Sequence, residues 1–142
     1  MIESNKSEIS SAMTANETIS QLDSKKLAWT IAEAADDRKA GDLVLLRVAE
    51  VSYITDYFII ATGFSTTQVR AIADSVEEKV KKTWQRHPLR VEGKAKATWI
   101  LQDYGEVIVH ILLPQEREFY NLEAFWGHAE RIDFQLSNSV RE

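Results

Sequence analysis

The sequence predicts a single α/β domain of the α+β kind, with a mixed central sheet and helices packed on it. Three observations lead there. Segments of helical period and segments of strand character follow one another in the order α, β, β, α, β, β, α. The first two strand segments, Leu43 to Ala49 and Tyr57 to Ala61, are apolar on successive residues, which suits strands covered on both faces. A strand–helix–strand crossover is joined to an antiparallel hairpin, so one sheet must hold both parallel and antiparallel pairs. A chain of 142 residues is long enough for one core and too short for two ordinary domains.

The elements are justified in turn. Residues 1–22 are rich in Ser, Thr, Asn and Glu without a sustained apolar period, so a disordered tail is expected there. A folded domain over 23–136 and a flexible tail over 137–142 follow. Ser24 is the expected N-cap of the first helix, Leu27, Ile31, Ala34 and Ala35 form its stripe, and Gly41 sits at its C-terminal cap. Thr62-Gly63-Phe64-Ser65 breaks the second strand. Ser65 and Gln68 fit a capping box, with Ser accepting from the N3 amide and Gln reaching back to the cap amide. The second helix runs to about Trp84 and buries Val69, Ile72, Val76 and Val80. Pro88 ends that region, and Leu89 to Val91 reads as a short edge strand. Thr98 to Gln102 and Glu106 to Leu113 read as strands around a Tyr104-Gly105 turn, with Gly supplying a positive φ. Pro114 stops the fourth long strand. Arg117 to Gly127 reads as a third helix with Phe119, Leu122 and Phe125 or Trp126 facing inward. Ile132 to Phe134 closes the order as a short strand.

Composition removes several functions. There is no cysteine, hence no disulfide, thiolate metal site or thiol nucleophile. No apolar run approaches the roughly 20 residues of a membrane span. The first 22 residues lack a signal-peptide core and carry Glu3, Glu8 and Glu17 but no Arg, so a cytoplasmic protein is expected. A net charge of −5 makes a poor general nucleic-acid binder. Charge is uneven, however: Lys79, Lys81, Lys82, Arg86, Arg90, Lys94 and Lys96 share one window with Glu92 alone opposing them. The window reads first as a solvated helix face and loop. The alternative is a polarity that steers docking onto an electrically mixed partner.

Motifs for chemistry are sparse. Gly63 stands outside any Walker or three-glycine fingerprint. The Gly63-x-Ser65 step after a strand resembles the opening of nucleotidyltransferase sites. Those sites also need two carboxylates one residue apart on a nearby strand to hold Mg²⁺, whereas the next acid here, Asp74, precedes Ser75 and Val76 in a helix. His87, His110 and His128 are too scattered for a metal, and His110 reads as a satisfied core or edge histidine. Asp36-Asp37 reads as a helix-surface pair. No catalytic residue, metal ligand or cofactor is assigned, and the chain is expected not to be an enzyme. A nucleotidyltransferase-like enzyme with unusual metal ligands and an RNA-binding module are the rival readings. Trp99, Tyr104, Tyr120 and Trp126 fall beside charges or turns, and Trp and Tyr are frequent interface anchors. Alternation puts Trp99 and Leu101 on one strand face and Ile100 and Gln102 on the other. On residues alone Trp99 reads as core, as do Tyr120 and Trp126.

An ordered set of pieces adds a resemblance. These are Ala35-Asp36-Asp37-Arg38-Lys39-Ala40, Val51 through Gly63, Ser65, Gln68 through Asp74, Glu92-Gly93, Trp99-Ile100-Leu101, Asp103-Tyr104-Gly105, Val107 through His110, Arg117 through Glu123, and Trp126. Over about residues 26–128 the chain resembles the ribosomal silencing factor family, also called the Iojap family. The resemblance implies a nucleotidyltransferase-like fold lacking catalytic carboxylates, and no cofactor. It implies binding to the large ribosomal subunit through ribosomal protein uL14, on the face where the small subunit docks. Subunit joining is then blocked sterically, which damps translation when nutrients are scarce or keeps a maturing large subunit apart. Some members form homodimers. The resemblance also turns Trp99 toward an exposed anchor. The implied partner-binding set is Trp99, Leu101, Gln102, Asp103 and Tyr104, with Arg70 and Asp74 secondary. Lys79, Lys82, Arg86, Lys94 and Lys96 are candidates for rRNA phosphate contact. Phe64, Gln102 and Glu106 depart from the family's usual residues. Phe64 is expected to add an apolar loop contact and Gln102 a contact particular to this chain.

Overall fold

The computed structural model describes residue 20, residues 22–52 and residues 54–134. A first helix, α1, covers residues 22–37. β1 (Gly41–Arg47), β2 (Tyr57–Thr62), α2 (Thr66–Trp84), β3 (Arg90–Glu92), β4 (Trp99–Asp103), β5 (Val107–Leu112), α3 (Pro114–Tyr120), α4 (Leu122–Phe125) and β6 (Glu130–Ile132) follow. The sheet order is β3-β4-β5-β2-β1-β6. β2 and β5 pair in parallel and every other neighbouring pair is antiparallel, as a mixed sheet requires. The expected tails fall largely on residues outside those described, although Ser20 and Leu22 are helical.

The register explains why β1 and β2 are apolar on successive residues. One sheet face carries Leu45, Ile59, Ala61, Ile100, Val109 and Ile111 and packs on α1 and α2 through Leu27, Ile31, Val69, Ile72, Val76 and Val80. The opposite face carries a smaller core of Val44, Leu46, Ile60 and Leu112, extended by Val48. Phe58, Trp99, Leu122 and Trp126 are partly buried against it. Neither α3 nor α4 contributes a fully buried residue, so this second face is only thinly covered.

Several local expectations change. Ser24 lies inside α1, where its hydroxyl donates to Asp56 Oδ2 at 2.8 Å instead of capping the helix. Lys39, with φ 59°, takes the left-handed position after α1. Gly41 instead starts β1 beneath the Phe64 ring, where an added Cβ would lie 2.6 Å from Phe64 Cζ. The hairpin turn is Gly105-Glu106, one residue later than expected: Tyr104 is still in register and its N–H donates to the Val107 carbonyl at 2.9 Å. Gly105 takes φ +94°, which opens the two-residue loop. The third helix is broken. Pro114 begins α3 at its first turn, and Asn121 in a left-handed conformation (φ 45°) separates α3 from α4. That break ends the expected apolar stripe. Leu122 and Trp126 pack on the sheet, but Phe119 and Phe125 are each 79% exposed and Tyr120 is 47% exposed. Phe134 lies beyond β6, buried against Trp29 on the α1 side.

Candidate docking face

The face begins with the turn between β3 and β4. Gly93 there has φ +82°, and a Cβ would collide with the Trp99 carbonyl, so only glycine lets the chain reverse this close to β4. Strand alternation then sends Trp99, Leu101 and Asp103 to the thinly covered side and Ile100 and Gln102 to the main core.

Trp99 is half-buried, between the two extremes that composition and resemblance suggest. Its indole Nε1–H donates to His110 Nδ1 at 3.0 Å. Its ring centroid lies 4.9 Å from that of Tyr120, which meets Phe119 edge-on at 4.8 Å. On the other flank His110 meets Phe58 at 5.4 Å, and Phe58 meets Trp126 at 4.8 Å. A continuous aromatic row therefore runs from α3 across β4, β5 and β2 to the residue after α4. Such tilted and edge-on pairs favour definite ring orientations. An indole nitrogen can only donate, so His110 Nδ1 must hold a lone pair and the proton resides on Nε2. Burial pushes the His110 pKa down to about 4, which keeps the ring neutral near pH 7. The reading of His110 as a satisfied interior histidine holds.

Leu101 and Asp103 are partly exposed beside Trp99. Asp103 Oδ1 also accepts the Gly105 N–H at 2.8 Å, so this carboxylate secures the hairpin turn. Its other oxygen lies 3.9 Å from Arg90.

Two residues leave the expected partner-binding set. Gln102 is 0% exposed and points to the helical side, where its Nε2 donates to the Ala73 carbonyl at 2.9 Å. Tyr104 is also 0% exposed, and its hydroxyl donates to Gln102 Oε1 at 3.3 Å. Burial raises its phenol pKa far above the ordinary value. Both are core groups that satisfy each other, and neither can meet a partner without unfolding.

Arg86 leaves the rRNA set. Its two terminal nitrogens donate to Glu106 at 2.9 and 2.7 Å, and one of them also donates to the Tyr104 carbonyl at 2.6 Å. This bidentate pair fastens the segment after α2 to the hairpin and holds the Glu106 carboxyl below its ordinary pKa. Lys79 lies 3.5 Å from Asp37. Lys82, Lys94 and Lys96 are exposed. The basic window is thus split: Lys79 and Lys82 belong to α2, on the far side of the sheet from Trp99, whereas Lys94 and Lys96 lie in the turn leading into Trp99. Arg70 is exposed on α2 but donates to the Ala95 carbonyl at 2.8 Å, which ties it to that same turn. Asp74 is exposed on the helical layer, which lies across the sheet from Trp99.

Phe119 and Tyr120 belong to this face although their spacing suggests core. The available signal was Asn121, a residue tolerant of the left-handed conformation that ends a helix. Elsewhere, a cleft of about 530 Å³ is lined by Asp42, Leu43, Val44, Arg117, Glu123 and Arg131. Arg117 there is already partnered by Glu123 at 3.0 Å and Thr62 at 2.8 Å. Among the described residues, no group of three or more His, Asp or Glu is placed to hold a metal, and no helix is long and apolar enough to cross a membrane.

Comparison with known proteins gives consistent matches. The family model described as "Ribosomal silencing factor during starvation" matches residues 21–142. The ribosomal silencing factor RsfS of Zymomonas mobilis is 34% identical over 119 residues, covering 84% of this chain and 89% of that protein. The protein named "Mitochondrial assembly of ribosomal large subunit protein 1" of Mus musculus is 33% identical over 105 residues, covering 72% of this chain and 46% of its own length. A crystal structure of a Chromobacterium violaceum protein aligns with a TM-score of 0.70 at 35% identity, covering 72% of this chain and 85% of that one.

Proposed function

We propose that this chain, which belongs to the ribosomal silencing factor family, binds the large ribosomal subunit through ribosomal protein uL14 and blocks its joining to the small subunit. Translation is repressed in this way under nutrient limitation, in the cytoplasm. The name of the mouse relative adds a role in large-subunit assembly to the same reading.

The observation that carries the proposal is the half-open aromatic row. Trp99 is pinned by His110 on one side and Tyr120 on the other, and exposed Phe119 continues the surface outward. Aromatic anchors in a fixed orientation suit binding to a preformed protein surface, because little rotamer freedom remains to be lost on docking. The contact set becomes Trp99, Leu101, Asp103, Phe119 and Tyr120. Lys94 and Lys96, in the turn that leads into Trp99, form a basic rim that meets rRNA phosphates next to the protein contact.

Two assays test this. Full-length protein added to purified large subunits before small subunits is expected to suppress formation of joined ribosomes. Trp99→Ala is expected to weaken co-sedimentation with large subunits by about 2 kcal/mol, roughly thirtyfold, as for an interface hot spot. Wild-type binding by a Trp99→Ala protein of native circular dichroism would sink the proposed anchor.

A further inference from the structure

We propose that His110 is a positioning residue for the Trp99 anchor: by accepting the indole N–H it fixes the ring in the orientation that docks. The inference rests on the docking reading above and assigns to His110 a part beyond filling the interior.

The strand itself poses the question. β5 reads Val-Ile-Val-His-Ile-Leu, and His110 is the one polar side chain among six buried positions. An imidazole in such a strand forgoes solvent hydrogen bonds, so a fully apolar residue would serve packing better. The register supplies the answer. Leu101 stands opposite His110 and Trp99 opposite Leu112, so Trp99 and His110 are diagonal neighbours on one face of the hairpin. Their polar atoms meet at 3.0 Å. Tyr120 holds the indole from the α3 side through ring contact alone, at 4.9 Å between centroids. Ring contact tolerates sliding and tilting, whereas a hydrogen bond to one nitrogen selects a single χ2 orientation. Phe58, edge-on at 5.4 Å, in turn limits rotation of the imidazole. The row thus relays a fixed geometry from Phe58 on β2 to the half-buried anchor.

Wild-type protein supplies a first test without substitution. Nitrogen-15 shifts of His110 are expected to report the Nε2–H tautomer near pH 7, and an Nδ1–H tautomer overturns the inference. Substitutions then read the consequence by co-sedimentation of full-length protein with large subunits. His110→Phe keeps a ring of similar size but removes the acceptor. It is expected to bind about tenfold more weakly, the effect of one lost hydrogen bond. His110→Asn places an amide oxygen near the Nδ1 position and is expected to regain most of that loss. In a Trp99→Phe background, which has no indole donor, His110→Phe is expected to cause no further loss. Additive losses in that cycle, or failure of His110→Asn to regain binding, assign His110 to packing alone and overturn the inference. Wild-type affinity of His110→Phe beside weak binding of Trp99→Ala overturns it while leaving the docking reading intact. Wild-type affinity of Trp99→Ala instead overturns the docking reading.

Discussion

Gln102→Leu separates the fold from the docking face. The substitution removes a buried amide that serves the Ala73 carbonyl and the Tyr104 hydroxyl and reaches Glu77 Oε2 at 3.5 Å. The Ala73 carbonyl sits mid-helix in α2 and keeps its intrahelical bond, so it loses only a second partner. Tyr104 fares worse: its hydroxyl is 0% exposed and donates to Gln102 Oε1. Leaving a buried hydroxyl unpaired costs roughly 1–3 kcal/mol. The 3.3 Å length of the bond places the loss in the lower half of that range, and the apolar Leu side chain offsets part of it. A net destabilisation of about 1 kcal/mol is expected, with a fall in Tm of roughly 4 °C. Urea unfolding followed by tryptophan fluorescence measures it. Adding Tyr104→Phe removes the orphaned hydroxyl and is expected to restore stability to within about 0.5 kcal/mol of wild type. Large-subunit binding is expected to stay unchanged, because Gln102 faces the helices and not the Trp99 side. Additive losses in the double variant would refute the hydrogen-bond account. Loss of binding with full stability would refute the placement of Gln102 itself.

Two further outcomes follow from the charged and titrating groups. Arg86→Met is expected to destabilise the domain by about 1–2 kcal/mol in thermal melts, since it breaks a partly exposed bidentate pair and the bond to the Tyr104 carbonyl. Unchanged stability would show the clamp to be ornamental. Acid lability is the other. The folded-state pKa of His110, about 4, lies below its ordinary 6.5, so the native state binds fewer protons and stability falls as pH drops from 6.5 toward 4. At about 1.36 kcal/mol per unit, the loss approaches roughly 3 kcal/mol. Glu106, lowered from its ordinary 4.5 by Arg86, adds a loss below that value. Urea midpoints measured from pH 7 to 4 are expected to fall less for His110→Phe than for wild type, and parallel curves would exclude His110 as the titrating group.

Much of the fold was legible because it follows from local rules. Apolar runs in β1 and β2 announced strands covered on both sides, and Ser65 announced the start of α2 with its side chain on the Gln68 amide at 3.1 Å. Even there the rule was incomplete. Gln68 accepts from Phe64 N–H instead of the Ser65 amide and donates to the Arg38 and Lys39 carbonyls at 3.1 Å each, partners some thirty residues away. The site was less legible for the same reason. Alternation separated Trp99 from Gln102 correctly, but period alone does not say which face the long helices cover. Arg86 looked like part of a basic patch because Glu106, which neutralises it, stands twenty positions later. The Trp99–His110 bond depends on the hairpin register: a Tyr104-Gly105 turn would set Trp99 directly opposite His110, whereas the observed Gly105-Glu106 turn sets it opposite Leu112, with His110 on the diagonal.

The break at Asn121 decides what the second sheet face can do. An unbroken helix from Pro114 to Phe125 would continue one apolar stripe across that face, and the stripe would draw Phe119 and Tyr120 onto it. The left-handed residue instead divides the segment into two short pieces with no fully buried residue. Leu122 and Trp126 still seal the smaller core, while Phe119 and Tyr120 turn outward beside Trp99. The stability of the domain then rests chiefly on the α1–α2 side, which leaves the aromatic row free to serve recognition. The two demands fall on opposite faces of one sheet. Substitutions at Gln102 should therefore be felt in unfolding and substitutions at Trp99 in binding, with His110 the residue at which both are felt together.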